Sequence, residues 1–149
     1  MTIEDLTLDL EQQIDINAPI DDVYKAVLHR IGKGSTDREG QSMQMELEEW
    51  AGGRWFRDRG EGIQHLWGHV QTLKPPVLIE LTGPMFMSYP ALNHVEWKLQ
   101  ETDGGTRVNL RHRAVGMISP EHREGIVTGW KTILDNIKKD VSDTAASAA

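Results

Sequence analysis

Hydrophobic and polar positions alternate along most of this chain, and two segments follow a helical period instead. Residues 6–16 carry leucine or isoleucine at nearly every second position, which is typical of a half-buried strand. Further strands are predicted over residues 43–48, 54–59, 63–73, 77–81, 93–100 and 106–114, with glycine or proline turns between most of them. The chain is therefore predicted to be rich in short, sequentially connected strands.

Two helices are predicted from capping residues and from apolar positions at helical spacing. The first begins after Asn17 or Ala18 at the cap, with Pro19 in the first turn, and ends near Gly32. The second begins with Ser119 at the cap and Pro120 at the first position. Its broad apolar face is predicted to contain Ile126, Val127, Trp130, Ile133, Leu134, Ile137 and Val141.

The order of these elements indicates an α+β fold. A strand and a helix precede a run of strands, a long helix follows, and the regular strand–helix–strand alternation of a parallel sheet is missing. We predict one domain over residues 1–142, with an antiparallel sheet packed on the last helix. The small, polar residues 143–149 are predicted to form a disordered tail.

Composition narrows the classes of partner. The formal net charge of −7 repels a phosphate backbone, so nucleic acid is not expected as a partner. Because the chain has no cysteine, disulfides, thiolate metal sites and cysteine nucleophiles are excluded. No stretch is apolar enough for membrane insertion, and the acidic start has no apolar signal core, so a cytoplasmic location is predicted.

Candidate chemistry centres on the histidines. His65 and His69 share one face of a regular strand but lie roughly 13 Å apart along it, so they cannot chelate one ion and no metal site is predicted. His112 is in phase with buried positions; it is interpreted as a hydrogen-bonded core histidine, with a general base as the alternative. Glu80 and Glu96 are predicted to be exposed, and no catalytic residue is assigned.

Three placements stay open at this level. Gln12 interrupts an apolar strand face, so it either reaches a partner at the sheet edge, the favoured interpretation, or points into a polar cavity. The inward face of the 63–73 strand can be its odd or its even positions. The irregular segment 85–89, rich in methionine and aromatic residues, either gates a pocket or covers the core.

Several short motifs, in order, resemble a known family. They are Ile14-Asp15-Ile16-Asn17-Ala18-Pro19 with Val23-Tyr24, Gly52-Gly53-Arg54-Trp55, Gly68-His69-Val70 with Pro75-Pro76-Val77-Leu78, Trp97-Lys98-Leu99, Gly105 to His112, and Gly129-Trp130. The chain thereby resembles the activator-of-heat-shock-ATPase-like domains of the START/polyketide-cyclase (SRPBCC, birch-pollen-allergen-like) superfamily. It departs from many members after the first helix, where they carry a second short helix and this chain has the polar segment 33–41.

The resemblance implies a helix-grip fold, in which a curved sheet wraps around the C-terminal helix and leaves a cavity. The expected function is binding of a small apolar or amphipathic ligand without a cofactor. The alternatives are a cyclase- or hydrolase-type enzyme using His112 or His65, and a chaperone-linked or homodimeric interaction domain. The predicted ligand-binding residues are Trp55, His65, Trp67, Met85, Met87, Trp97, His112 and Trp130.

Overall fold

The computed structural model describes residues 2–148 and contains, within them, one antiparallel sheet and two α-helices. The sheet has seven strands in the order β1-β7-β6-β5-β4-β3-β2, so consecutive strands pair from β2 to β7, and β7 then pairs with β1. A short 3-10 turn, Glu4–Leu6, precedes β1. The elements are β1 Thr7–Ile16, α1 Ile20–Ile31, β2 Met45–Leu47, β3 Arg54–Asp58, β4 Gln64–Lys74, β5 Leu78–Gly83, β6 Ala91–Thr102, β7 Gly105–Gly116 and α2 Pro120–Ala148.

The concave face of the sheet packs on α2 and forms the core. In β6 the odd positions from Asn93 to Leu99 are buried, and in β7 the even positions from Thr106 to Ala114 are buried. Leu134 and Ile137 of α2 lie in the same buried cluster. The predicted helix-grip fold, a curved antiparallel sheet around a long C-terminal helix, is confirmed. Within residues 2–148, neither helix has the combination of length and apolar composition that crossing a membrane requires.

The helix ends differ from the prediction at two of the four places where caps or ends were assigned, and α1 ends at Ile31, next to the predicted Gly32. Pro19, rather than Asn17 or Ala18, is the cap of α1: its backbone is extended, and its carbonyl accepts from the Asp22 and Val23 amides. Ser119 caps α2 as predicted, because its Oγ accepts from the His122 amide at 3.2 Å. Helix α2 then continues through Ala148, past the start of the predicted tail at residue 143.

The inward face of β4 consists of neither the odd nor the even positions alone. The pairing shifts register between Trp55 and Phe56 on β3, and again between Val70 and Thr72 on β4. Bulges of this kind change the alternation, so Trp67 and its neighbour Gly68 are both buried. The register also places His65 and His69 on opposite faces, and the prediction that they share a face is wrong.

Three further expectations are decided by packing. Glu80 is half-buried rather than exposed: its Oε2 lies 2.9 Å from His94 Nε2. Burial opposes its ionisation, but hydrogen bonds from Thr72 and His94 hold its pKa below the ordinary value. Gln12, on the edge strand β1, donates to the Val127 carbonyl at 2.9 Å, which agrees with the favoured interpretation. Val127 itself is 50% exposed, so its predicted place on the apolar face of α2 is wrong.

Candidate functional site

An open cavity of about 410 Å³ lies between β3, β4 and the first half of α2. This volume falls within the range of about 300–1,000 Å³ that is usual for small-molecule sites. Most of the wall is apolar, and the charged lining residues lie in the last turn of α1, on the loop after it and in the first turn of α2. The lining residues are Arg30, Ile31, Ser35, Thr36, Arg38, Met43, Trp55, Trp67, Met85, Phe86, Glu121, His122, Gly125, Ile126, Gly129, Trp130 and Ile133.

Half of the predicted ligand-binding residues border this cavity. Trp55, Trp67, Met85 and Trp130 line it. The other four do not: Met87, Trp97 and His112 are buried in the core behind it, and His65 lies beside Trp67, with its ring centroid 6.3 Å away. The segment that contains Met85 and Phe86 therefore covers one side of the cavity, while Met87 packs inward.

The sheet side of the cavity is a cluster of aromatic rings. Trp55 is held by a hydrogen bond from its Nε1 to the Ile31 carbonyl at 2.9 Å, which ties β3 to the end of α1. Trp67 meets Trp55 edge to face with centroids 5.3 Å apart, and Phe86 at 6.0 Å. The Trp67 Nε1–H is buried and has no hydrogen-bond partner among the described residues. This wall is thus rigid and apolar, with one unpaired donor.

The helix side of the cavity depends on two glycines that the sequence analysis overlooked as site residues. A Cβ atom built on Gly125 or Gly129 meets no heavy atom within 4 Å, so these positions leave open space in the wall. Glycine in a helix interior costs about 1 kcal/mol relative to alanine. The signal was present in the sequence, because two glycines four positions apart lie on one helix face, the face that carries Trp130 and Ile126.

His112 lies beneath the cavity and has both ring nitrogens engaged. Its side chain is fully buried, its Nδ1 accepts from Trp130 Nε1 at 3.0 Å, and its Nε2 lies 2.7 Å from Asn93 Oδ1. The Asn93 amide nitrogen in turn donates to the Gly83 carbonyl at 3.1 Å, so its oxygen faces the imidazole. The interpretation of His112 as a satisfied core histidine agrees with this geometry, because neither nitrogen is free to act as a base.

Burial of His112 predicts a specific pH dependence of stability. Desolvation lowers the pKa of His112 from 6.5 to about 4. As pH falls below 6.5, the unfolded chain takes up a proton here while the folded protein does not, so the native state loses stability. Between pH 6.5 and about pH 5, we expect this group to reduce the free energy of unfolding by about 2 kcal/mol.

Urea unfolding at a series of pH values tests this expectation. The variant His112→Gln keeps a polar side chain without a titrating group, so its free energy of unfolding should change less over the same interval. The interval lies above the ordinary pKa values of carboxyl groups, so acidic side chains contribute little to the change in stability across it. An identical pH profile for both proteins would contradict the assignment.

Polar groups gather at the mouth of the cavity, and none of them was among the predicted ligand-binding residues. Arg30 donates to both carboxylate oxygens of Asp140 at 2.7 Å and to Thr36 Oγ1 at 3.1 Å, which ties α1 to α2 and to the loop. Tyr89 Oη lies 2.6 Å from His122 Nδ1, and the two rings stack with centroids 5.5 Å apart. Their separation in the sequence hid this pairing, which only the fold creates.

Metal ligands do not converge within the part of the chain that the structure describes. Among residues 2–148, no group of three or more His, Cys, Asp or Glu side chains is arranged to hold a metal ion.

The fold recurs in solved structures of low sequence identity. An uncharacterized protein from Rhizobium leguminosarum superposes with a TM-score of 0.70 at 18% identity, over 92% of this chain and 95% of that one. Ara h 8.0201 superposes with a TM-score of 0.67 at 14% identity, over 92% and 99% of the two chains. The di-domain ARO/CYC StfQ from the steffimycin biosynthetic pathway gives 0.66 at 15% identity, over 97% of this chain and 53% of that one.

These likenesses establish a shared fold, and a sequence comparison is more specific. No curated protein matches the sequence significantly. A family model described as activator of Hsp90 ATPase homolog 1-like protein matches residues 17–142, from two residues before the cap of α1 into the last turns of α2. All the motifs quoted for the family resemblance lie within this match, except residues 14–16 of the first motif. The chain therefore belongs to the activator of Hsp90 ATPase homolog 1-like family.

Proposed function

We propose that this protein binds one small apolar or amphipathic molecule in the cavity between the sheet and α2. The observation that carries the proposal is the cavity itself: about 410 Å³ bounded mainly by Trp55, Trp67, Phe86, Ile126 and Trp130. Surfaces of this kind exclude water from a ligand and contribute roughly 25 cal/mol for each Å² of apolar area buried. The fold commonly takes up hydrophobic ligands, which supports the same interpretation.

The glycines of α2 support the proposal independently of the aromatic wall. Alanine at Gly125 and Gly129 would strengthen the helix, yet glycine stands at both, where a Cβ would project into open space. A helix that forgoes this stabilisation where it faces a cavity keeps volume for an occupant.

Filling the cavity from the helix side is the direct test. Gly129→Leu introduces a branched side chain into the cavity, whereas Thr128→Leu adds the same side chain to an exposed position outside the lining. We expect Thr128→Leu to bind like the wild type and Gly129→Leu to lose saturable binding. Leucine is a better helix former than glycine, so the loss cannot be attributed to a weaker helix.

The measurement combines native mass spectrometry with tryptophan fluorescence during titration of fatty acids and aromatic polyketides. Three of the lining residues are tryptophans, so occupation of the cavity should change their emission. Equal binding by Gly129→Leu and the wild type would place the ligand elsewhere. Absence of binding by the wild type to every probe would overturn the proposal.

A cyclase- or hydrolase-type enzyme is the second candidate. The observation that favours it is His122, an imidazole that borders the cavity and is hydrogen-bonded to Tyr89. Neither histidine named for this role from the sequence has that position, since His112 is enclosed and His65 is outside the lining. Mass spectrometry of ligand extracted after incubation separates the candidates, because an enzyme returns a molecule of changed mass.

A further inference from the structure

The mouth of the cavity contains a histidine whose surroundings define which of its nitrogens carries the proton. His122 lies in the first turn of α2, directly after the Ser119 cap and Pro120. Its ring is held between Phe86, edge-on with centroids 5.0 Å apart, and Tyr89, stacked at 5.5 Å. These contacts leave the imidazole little freedom to rotate.

Hydrogen bonding favours one tautomer of His122. The Ser119 amide donates to Tyr89 Oη at 3.5 Å, and the acceptor that remains within reach of the Tyr89 hydroxyl proton among residues 2–148 is His122 Nδ1, at 2.6 Å. Donation from Tyr89 to Nδ1 is the arrangement that satisfies the hydroxyl proton within the protein. A neutral imidazole that accepts at Nδ1 carries its proton on Nε2. His122 Nε2–H has no hydrogen-bond partner in the described part of the chain and remains available as a donor.

Trp67 also lines the cavity and is 9% exposed. Its Nε1–H has no partner among the described residues, but that nitrogen is itself buried. Phe86 contacts both rings edge-on, with centroids 6.0 Å from Trp67 and 5.0 Å from His122. An unpaired donor at the border of an apolar cavity, as on His122, is complementary to a ligand acceptor.

Two arginines also lie at the mouth of the cavity. Arg30 is committed to Asp140 and Thr36. Arg38 is exposed on the loop after α1, borders the cavity and forms no ion pair with the described residues, while Glu121 contributes the opposing charge. The mouth thus offers hydrogen-bond donors above walls that are mainly apolar.

We propose that the cavity selects amphipathic molecules that carry an acceptor oxygen, a carboxylate or a ketone, and that His122 Nε2–H binds this oxygen. The apolar part of the ligand lies against Trp55, Trp67 and Trp130. Tyr89 is a positioning residue, because it holds the imidazole in the tautomer that donates from Nε2. This inference rests on the proposed function and specifies the ligand class that the site accepts.

Three probes of matched chain length test the inference by tryptophan fluorescence: dodecanoate, 2-tridecanone and dodecylammonium. The first two carry an acceptor oxygen, charged or neutral, and the third carries only donors. In His122→Phe we expect roughly tenfold or greater weakening for dodecanoate and a few-fold weakening for 2-tridecanone. Dodecylammonium should bind the variant as it binds the wild type, which also reports that the variant is folded.

A spectroscopic measurement tests the role of Tyr89 without a binding assay. Imidazole ¹⁵N NMR of the wild type should show His122 protonated at Nε2, and Tyr89→Phe should give a mixture of tautomers with weaker dodecanoate binding. A purely structural Tyr89 would leave the ¹⁵N pattern unchanged.

The outcomes separate this inference from the proposed function. If the wild type binds the probes and His122→Phe binds dodecanoate equally well, the inference is overturned and the proposed function stands. A wild-type His122 protonated at Nδ1 would overturn the inference in the same way. If no probe binds the wild type, the proposed function fails and the inference fails with it.

Discussion

Replacing Gly68 with alanine should lower the free energy of unfolding by about 3 kcal/mol. A Cβ at this position would lie 2.5 Å from the Thr82 carbonyl oxygen and 3.3 Å from the Gly83 Cα. Both atoms belong to the backbone of β5, which cannot rotate away as a side chain can. The strand pair must therefore separate beside Trp67, where β4 bulges to point the indole into the cavity wall.

Gly125→Ala is the matched control, with an effect of opposite sign. The same methyl group at Gly125 meets no heavy atom within 4 Å and replaces a helical glycine, so it should raise the free energy of unfolding by roughly 1 kcal/mol. Thermal unfolding followed by circular dichroism measures both variants, and the loss in Gly68→Ala corresponds to a decrease of roughly 10 °C in Tm. A Gly68→Ala protein with the same Tm as the wild type would refute the close approach of the two strands.

Truncation of Trp130 to alanine should cost about 3–5 kcal/mol in the free energy of unfolding. Its indole is 5% exposed, packs edge-on against Trp97 with centroids 5.8 Å apart, and donates to His112 Nδ1. Removing it opens a void in the cavity wall and leaves a buried acceptor without a partner, so two separate costs add.

Trp130→Phe separates the contributions of packing and of the hydrogen bond to stability, and Trp50→Ala is the control. Trp130→Phe retains most of the packing but removes the N–H, so it should cost about 1–3 kcal/mol for the unpaired His112 nitrogen. Trp50 is 58% exposed, and Trp50→Ala should change the free energy of unfolding by less than about 0.5 kcal/mol. Urea unfolding by far-UV circular dichroism provides the values. Equal losses for Trp130→Phe and Trp130→Ala would show that the hydrogen bond, rather than packing, dominates.

The fold could be predicted from local sequence patterns, which can be identified without knowledge of the tertiary structure. Period-two alternation in the segments around Ile14, Trp97 and Val108 predicted strands that are present, and the Ser119-Pro120 cap predicted the start of α2. These signals are local because a strand or a helix end depends on residues within a few positions of one another. Their order along the chain was sufficient to predict the antiparallel sheet and the long helix that it grips.

The cavity was predictable only in part, since its residues are brought together by the fold. Trp55, Trp67 and Trp130 were selected for their size, and size alone could not distinguish them from Trp97, which fills the core. The distinction depends on where the sheet and α2 diverge. No local pattern reports the separation of two surfaces that are far apart in the chain.

Neither the polar mouth of the cavity nor the bulge in β4 could be predicted from the sequence, because both depend on tertiary structure. Tyr89 and His122 are 33 residues apart and meet because the loop before β6 crosses the start of α2. On β4, alternation predicts either Trp67 or Gly68 on the inner face, and the bulge buries both. Period-two alternation assumes an unbroken ladder of hydrogen bonds, and it fails on β4 because this strand has one extra residue opposite the step from Trp55 to Phe56. Residue patterns thus determine the elements and their order, whereas strand pairing and long-range packing decide which side chains meet a ligand.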